Sequence, residues 1–145
     1  MKSIHRGAGL LFALATAFAL VPAGAAQASA AGTAATWTLN PGNQRICVAP
    51  EYGWPNTYAL ASVTGSTVDI IETKIQKLPP GSFSQGGRIH PSELNRTGSF
   101  IGFVHLSIAP APVGEYAAEL RASDGTTTQT APVTISVKED CLHGT

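Results

Sequence analysis

Few residues of this 145-residue sequence have the types and spacing that support chemistry. It contains no Gly-x-Ser-x-Gly elbow, no His-Glu-x-x-His pair and no phosphate-binding glycine loop. His90 precedes Glu93 in a polar stretch, but acid–base catalysis also needs an orienting group and a pocket. His105 lies in a segment of alternating apolar and polar residues, where it is expected at the surface. The sequence therefore predicts no catalytic site, no cofactor and no metal.

Cys47 and Cys141 are the only cysteines, and neither has a His or a second Cys at the spacing of a metal site. An even number of cysteines in an exported domain is typical of a disulfide. We expect Cys47 and Cys141 to be bonded to each other, which closes nearly the whole domain into one loop.

The first 30 residues have the layout of an export signal. A basic start is followed by an apolar run at residues 7–21 and by small residues at 26–30. This apolar run is shorter than the roughly 20 residues that a membrane-spanning helix needs. We expect cleavage after residue 28 or after residue 30, and residues 31–145 should form a single secreted domain with no membrane attachment.

The charge balance argues against a nucleic-acid partner. The chain has nine Lys and Arg residues and nine Asp and Glu residues, and two of the basic ones, Lys2 and Arg6, belong to the export signal. The remaining domain is slightly acidic, and its basic residues are scattered singly along the sequence.

Alternation of apolar and polar residues predicts β-strands in the C-terminal part of the domain. The clearest segments are residues 100–109, 115–123 and 126–137, of which the last two flank an Asp-Gly turn signal and should form a hairpin. Pro132 cannot donate a ladder hydrogen bond, so its strand is expected at a sheet edge or with a bulge.

Shorter strands are predicted for residues 36–39 and 58–64. Residues 67–78 fit either a helical or a strand pattern, and we favour a strand because β-branched residues are frequent there. Any helix in the domain is expected only within this segment. Many short strands with turns between them point to an antiparallel β-sandwich.

Four segments resemble bacterial immunoglobulin-like domains, which often end a strand with a Leu-Pro-Pro-Gly-type turn and close with a Gly-x-Tyr strand and a Thr-rich strand. They are Leu-Pro-Pro-Gly-Ser at residues 78–82, Leu-Ser-Ile-Ala-Pro at 106–110, the run that begins Gly-Glu-Tyr at 114–125, and the Thr-rich run at 128–137. The resemblance covers residues 58–138 and implies an all-β immunoglobulin-like sandwich of six to eight strands. The sequence departs from antibody domains in having no Cys-Trp-Cys core arrangement, so its disulfide is not expected to join the two sheets.

This resemblance implies no particular function, because such domains serve as adhesive, carbohydrate-binding, spacer and inhibitor scaffolds alike. The Ala- and Thr-rich composition is also similar to that of small secreted actinobacterial proteins.

Three aromatic residues lie in a turn-rich segment close to Cys47, namely Tyr52, Trp54 and Tyr58. Tyr and Trp side chains can stack on sugar rings or anchor a protein interface. The alternative is that they cover the disulfide and cap the core. We treat all three as candidate partner-binding residues.

Residues 79–99 contain four glycines and no regular apolar pattern, which predicts a long irregular loop. Long loops in compact domains are usually functional or disordered. Phe83, Arg88, Ile89 and Leu94 are side chains in this segment that a partner could hold, and we treat Phe83 and Arg88 as the candidate partner-binding residues. The alternatives are a mobile loop or a short strand that the pattern does not reveal.

The sequence favours a small, secreted, non-catalytic binding or accessory module that acts as a monomer on an extracellular protein or glycan. The alternative is an inhibitor of an extracellular hydrolase that presents Phe83 or Arg88 from the loop at residues 79–99.

Overall fold

The computed structural model of the chain describes residues 35–141, which form eight strands and one short helix. In chain order these are β1 (Trp37–Leu39), β2 (Gln44–Val48), β3 (Trp54–Gly65), β4 (Ile71–Gln76), β5 (Phe83–Ile89), α1 (Pro91–Thr97), β6 (Ser99–Ile108), β7 (Gly114–Ser123) and β8 (Thr128–Val137). The predicted all-β class and strand number are confirmed. The predicted export signal at residues 1–30 lies outside the described residues. No helix among the described residues is long and apolar enough to cross a membrane.

The strands form two layers that share β5. The first sheet has the order β1-β3-β6-β5, and the second sheet has the order β5-β4-β7-β8-β2. This is the strand order of an immunoglobulin-like sandwich in which the first strand is divided, as β1 and β2, between the two sheets. Every pairing is antiparallel except that of β2 with β8, which is parallel.

Period-2 alternation places one side of each long strand in the core. In β6 the side chains of Val104, Leu106 and Ile108 are buried, whereas Phe103 and His105 are exposed, as the sequence predicted. Each fully buried side chain of this size contributes about 1.5–3 kcal/mol. The core is therefore built from the inward faces of both sheets.

The strand that contains Pro132 is not the edge strand of its sheet. β2 covers β8 from Val133 to Val137, and Pro132 lies immediately before that pairing begins. The missing N–H is tolerated there because β8 has β7 as its only neighbour at this position.

β5 connects the sheets by leaving one and joining the other. Its first part, residues 83–86, pairs with β6, and its last part, residues 87–89, pairs with β4. The Ser84 hydroxyl bridges the two sheets where β5 crosses between them. It accepts a hydrogen bond from the Ile75 N–H of β4 (3.0 Å) and donates one to the His105 carbonyl of β6 (3.3 Å).

Two glycines make the crossing sterically possible. Gly86 has a φ of 81°, which favours glycine. A Cβ on Gly87 would lie 2.3 Å from the Phe103 carbonyl oxygen, so the backbones meet too closely for any side chain.

The segment at residues 79–99 is not the predicted irregular loop, because β5 and α1 occupy most of it. The expectation that any helix would lie within residues 67–78 is also wrong, because the helix α1 lies at Pro91–Thr97. The strand that the β-branched content favoured in residues 67–78 is confirmed as β4. β5 has no alternating pattern to reveal it, because it changes sheets partway along its length.

The helix α1 has end signals that are visible in the sequence. Pro91 begins it, Glu93 accepts a hydrogen bond from the His90 N–H (2.8 Å), and Gly98 ends it in the left-handed region by donating to the Leu94 carbonyl (2.8 Å). The Leu94 side chain anchors the helix in the core, and Ile89 at the end of β5 is also fully buried. The expectation that a partner could hold these two side chains is therefore wrong.

The Gly-x-Tyr motif forms the corner that is typical of immunoglobulin-like domains. The Tyr116 hydroxyl near the start of β7 donates to the Pro112 carbonyl four residues earlier (3.0 Å). Ala118 stands where antibody domains have the cysteine of their inter-sheet disulfide.

The predicted disulfide is confirmed. Cys47 on β2 is bonded to Cys141, which follows β8, and the two Cα atoms are 5.6 Å apart. Because β2 and β8 are neighbours, the bond lies at the edge of the second sheet and does not pass through the core.

Asp124, in the turn between β7 and β8, fixes β1 to that turn. One carboxylate oxygen accepts from the indole N–H of buried Trp37 (2.6 Å), and the other accepts from the N–H groups of Thr126 (2.9 Å) and Thr127 (2.6 Å). Partial burial acts to raise the pKa of Asp124, but these donors outweigh it and hold the pKa below its ordinary value.

We expect the disulfide to contribute strongly to stability, because it joins residues 94 positions apart and restricts the unfolded chain. Replacing both Cys47 and Cys141 with Ala should lower the free energy of unfolding by about 2–5 kcal/mol in urea denaturation. A reducing agent should weaken the wild-type protein and leave the double variant unchanged. Equal midpoints for the wild type and the double variant would contradict this expectation.

Asp124 should make stability depend on acid pH. The pKa of Asp124 is lower in the folded state than in the unfolded state. Its contribution to the free energy of unfolding is therefore complete above the unfolded-state pKa of about 3.9, and it disappears as the pH falls through the folded-state pKa. Asp124→Asn should cost about 1–3 kcal/mol at neutral pH, and this difference should shrink at acid pH. Glu51→Gln, an exposed turn variant, is the control and should show no such change. A difference for Asp124→Asn that is independent of pH would argue against the role of its charge.

Candidate functional site

The outer surfaces of the two sheets differ in charge. The strands β1, β3 and β6 of the first sheet contain no Lys, Arg, Asp or Glu. The three ion pairs within the described residues belong to the second sheet and its adjoining turn, and they are Arg45 with Glu115, Lys77 with Glu119 (3.1 Å) and Arg88 with Glu72 (3.6 Å). Only the second sheet therefore has the charged exterior of an ordinary solvated surface.

Glu115 is the centre of the polar network on the second sheet. Its carboxylate accepts hydrogen bonds from Arg45 and from Ser136 (3.0 Å), and these bonds hold the pKa of Glu115 below its ordinary value. Its Arg45 partner also donates to Ser136. The charges of Arg45 and Glu115 therefore already have partners inside the protein.

The first sheet carries apolar side chains on its outer surface, which we call the aromatic face. The Tyr58 and Phe103 rings meet edge to face, with centroids 5.0 Å apart and planes at 82°. Strand register places Leu60 opposite Phe103 and Tyr58 opposite His105. The aromatic face consists of Tyr58 and Leu60 on β3, Ile101, Phe103 and His105 on β6, and Phe83 on β5.

The aromatic rings of this face are about half exposed, with relative accessibilities of 52% for Tyr58, 53% for Phe103 and 55% for Phe83. Phe83 lies opposite Ser107, on the side of β6 away from β3, so the rings extend across three strands. An apolar surface that spans three strands is larger than the isolated exposed side chains that most proteins have.

A shallow groove of about 300 Å³ adjoins the aromatic face, between β2 and β3. It is lined mainly by Arg45 and Cys47 on one side and by Trp54 and Tyr58 on the other. Tyr58 therefore contributes to both the groove and the aromatic face.

One glutamine side chain connects the two strands that border this groove. The Gln44 amide of β2 donates to the Leu60 carbonyl (2.7 Å) and accepts from the Leu60 N–H (2.7 Å) of β3. It thus takes the place of a peptide group of a neighbouring strand.

The five predicted binding residues do not form one site. Trp54 and Tyr58 come together at the groove, Tyr58 and Phe83 share the aromatic face, and Arg88 lies on the second sheet, paired with Glu72. Tyr52 stands apart in the turn before β3.

The alternative to an exposed site was that the aromatic segment covers the disulfide and caps the core. Trp54 and Tyr58 do line the same groove as Cys47, but the aromatic segment does not cap the core. Tyr52 is 77% exposed and Trp54 is 48% exposed, like Tyr58. A role of these residues in binding stays a prediction.

Sequence reasoning considered the strand face with Phe103 and His105 only as a site of second choice, and it did not select Leu60 or Ile101. The signal was present in β6, where Phe103 and Ile101 occupy the positions that alternate with the core residues. A polar side chain is expected at such outward positions, so an apolar one there is informative.

The described residues contain no group of three or more His, Cys, Asp or Glu that could hold a metal ion. His90 lies at the start of α1 and His105 on the aromatic face, so the two histidines sit on different elements.

Residues 38–139 match the model of a family described as "Family of unknown function (DUF5980)". This match covers more than half of the chain, and the chain belongs to that family. No curated protein sequence matches it.

Two solved structures are similar in overall form. WR4, a C. elegans MSP family member, has a TM-score of 0.41 and 9% identity, over 71% of this chain and 98% of that one. The ASH/PapD-like domain 7 of human CEP192 has a TM-score of 0.34 and 11% identity, over 72% of this chain and 87% of that one.

Trp54→Ala should have little effect on folding, because half of the side chain is already in contact with solvent. We expect a loss of about 1 kcal/mol in the free energy of unfolding. Trp37→Ala is the matched comparison, and it should cost about 3–5 kcal/mol because that indole is buried and bonded to Asp124. Similar losses for the two variants in urea denaturation would show that Trp54 supports the core.

Proposed function

We propose that this protein is a non-catalytic binding module that holds an extracellular protein partner against its aromatic face. The observation that carries the proposal is the contrast between the two outer surfaces. One surface presents Tyr58, Phe83 and Phe103 and has no Lys, Arg, Asp or Glu on its central strands, whereas the other carries many charged side chains and three ion pairs.

The energetic argument begins with the exposed apolar area. Aromatic side chains are frequent hot spots because they bury large areas in contact with a partner. The centres of interfaces are also depleted in charged residues, since no charge then loses its hydration on binding. The aromatic face combines both properties, and the backbone of a three-strand sheet holds it rigid.

The chemistry of the face favours a protein over a glycan. Leu60, Ile101, Phe83 and Phe103 have no hydrogen-bonding group on their side chains. A glycan that covered them would leave hydroxyl groups without partners, which is costly on desolvation. An apolar protein surface has no such penalty.

Two features of the chain support an extracellular compartment. The disulfide between Cys47 and Cys141 is typical of an oxidising environment, and the predicted export signal at residues 1–30 would deliver the protein there. The partner is therefore sought outside the cell.

The alternative of a hydrolase inhibitor has less support. It relied on a projecting loop at residues 79–99, whereas Phe83 and Arg88 belong to β5 and are paired with two different sheets. Neither side chain therefore stands on the projecting loop that this alternative requires.

Position-specific photo-crosslinking tests the proposal. A photoreactive phenylalanine analogue is placed at Phe103 in one protein and at Thr130, on the outer surface of the second sheet, in another. Each protein is exposed to the medium and cell surface of its source culture. We expect protein adducts from position 103 only. Adding Tyr58→Ala to that protein should abolish the adducts and leave the unfolding midpoint unchanged.

Equal adducts from both positions would contradict the proposal. A third outcome is that no protein adduct forms, that the protein binds neutral polysaccharide, and that Phe103→Ala abolishes this binding. The partner would then be a glycan and not a protein. An adduct with the mass of two copies would identify the partner as a second molecule of this chain.

A further inference from the structure

A depression of about 500 Å³ opens where β5 leaves β4. The two strands pair only as far as Thr73 and Gly87, and β5 then turns towards β6. The depression is bordered by the Gly86–Gly87 backbone and by four charged side chains, which are Glu72, Lys74, Arg88 and Arg121.

The basic side chains of this depression are arranged unfavourably in the isolated protein. Lys74 on β4 lies directly opposite Arg121 on β7, which places the two Cβ atoms about 5 Å apart. Like charges at such positions repel each other. Arg121 donates to the Thr128 hydroxyl (3.0 Å), and Lys74 forms no ion pair within residues 35–141.

The acidic residues nearby compensate only part of this charge. Glu72 lies 3.6 Å from the Arg88 Nε, which is longer than a hydrogen bond, and Glu119 is paired with Lys77 outside the depression. Three cations and one carboxylate leave a net charge of about +2. The described residues as a whole are slightly acidic, so this concentration of positive charge runs against the balance of the domain.

We propose that the depression binds an oxyanionic group, phosphate or sulfate. An oxyanion between Lys74 and Arg121 would convert their repulsion into two attractive contacts. A guanidinium offers a planar pair of donors to such a group, and a lysine offers a mobile point charge. The volume exceeds that of a bare oxyanion, so it leaves room for a sugar-sized carrier of the group.

This site does not depend on the aromatic face. It lies on the second sheet and contains no residue of the aromatic face. Arg88 is the only residue of the depression that the sequence had suggested for partner binding. Failure of one proposal therefore leaves the other intact.

NMR titration of the whole domain tests the site, with inorganic phosphate, sulfate, glucose 6-phosphate and glucose as probes. At about 0.01 M ionic strength, where charges act over about 30 Å, we expect saturable shifts of the Gly86 and Gly87 amide signals with the three anions and none with glucose. Tighter binding of glucose 6-phosphate than of phosphate would indicate a sugar-borne group, and equal binding would indicate a free anion.

Matched charge variants separate a defined site from general attraction. Lys74→Gln should weaken binding about fivefold, and Glu72→Gln should strengthen it, because each alters a charge that borders the depression. Arg96→Gln on α1 removes the same charge elsewhere and should have no effect. The proposal would be overturned if Lys74→Gln and Arg96→Gln weakened binding equally, or if the Gly86 and Gly87 signals showed no saturable shift. Unchanged unfolding midpoints confirm that each variant is folded.

Discussion

β5 can belong to both sheets only because two adjacent glycines let its backbone pass close to its neighbours. A Cβ on Gly87 would collide with a carbonyl of β6, and one on Gly86 would approach the Thr73 carbonyl of β4 to 2.8 Å. The crossing closes one side of the sandwich without a loop. It also places the two ends of a seven-residue strand on different surfaces, with Phe83 on the aromatic face and Arg88 at the basic depression.

The two sheets share one core but have different exteriors. On the second sheet, outward positions carry charged side chains, and most of these are paired with one another. On the first sheet, β1, β3 and β6 have no Lys, Arg, Asp or Glu at any position. A fold requires only that inward positions be apolar. The apolar outward positions are therefore not explained by folding, which is why the first sheet is the better candidate for recognition.

Much of the fold followed from the sequence, because the long strands β6, β7 and β8 alternate cleanly and the Asp-Gly turn joins the last two. β5 did not follow, because a strand whose two halves serve different sheets has no single buried side and hence no period. α1 was missed for another reason. Its end signals, Pro91 and Gly98, are local, but they lie in a glycine-rich stretch that suggested a loop. For the candidate site, Tyr58, Trp54 and Phe83 were found from composition, whereas Phe103 gained meaning only when strand pairing placed its ring against Tyr58.

The disulfide has a mechanical consequence. If the two ends of the described segment were pulled apart, the tension would pass from residue 35 along the chain to Cys47 and then directly through the sulfur–sulfur bond to Cys141. Only β1 and most of β2 would bear the load. The enclosed residues span about 300 Å when fully extended, and none of that length could be released while the bond is intact. The aromatic face and the basic depression both lie within this unloaded region, so their geometry would persist under a force that had already peeled away the N-terminal strand.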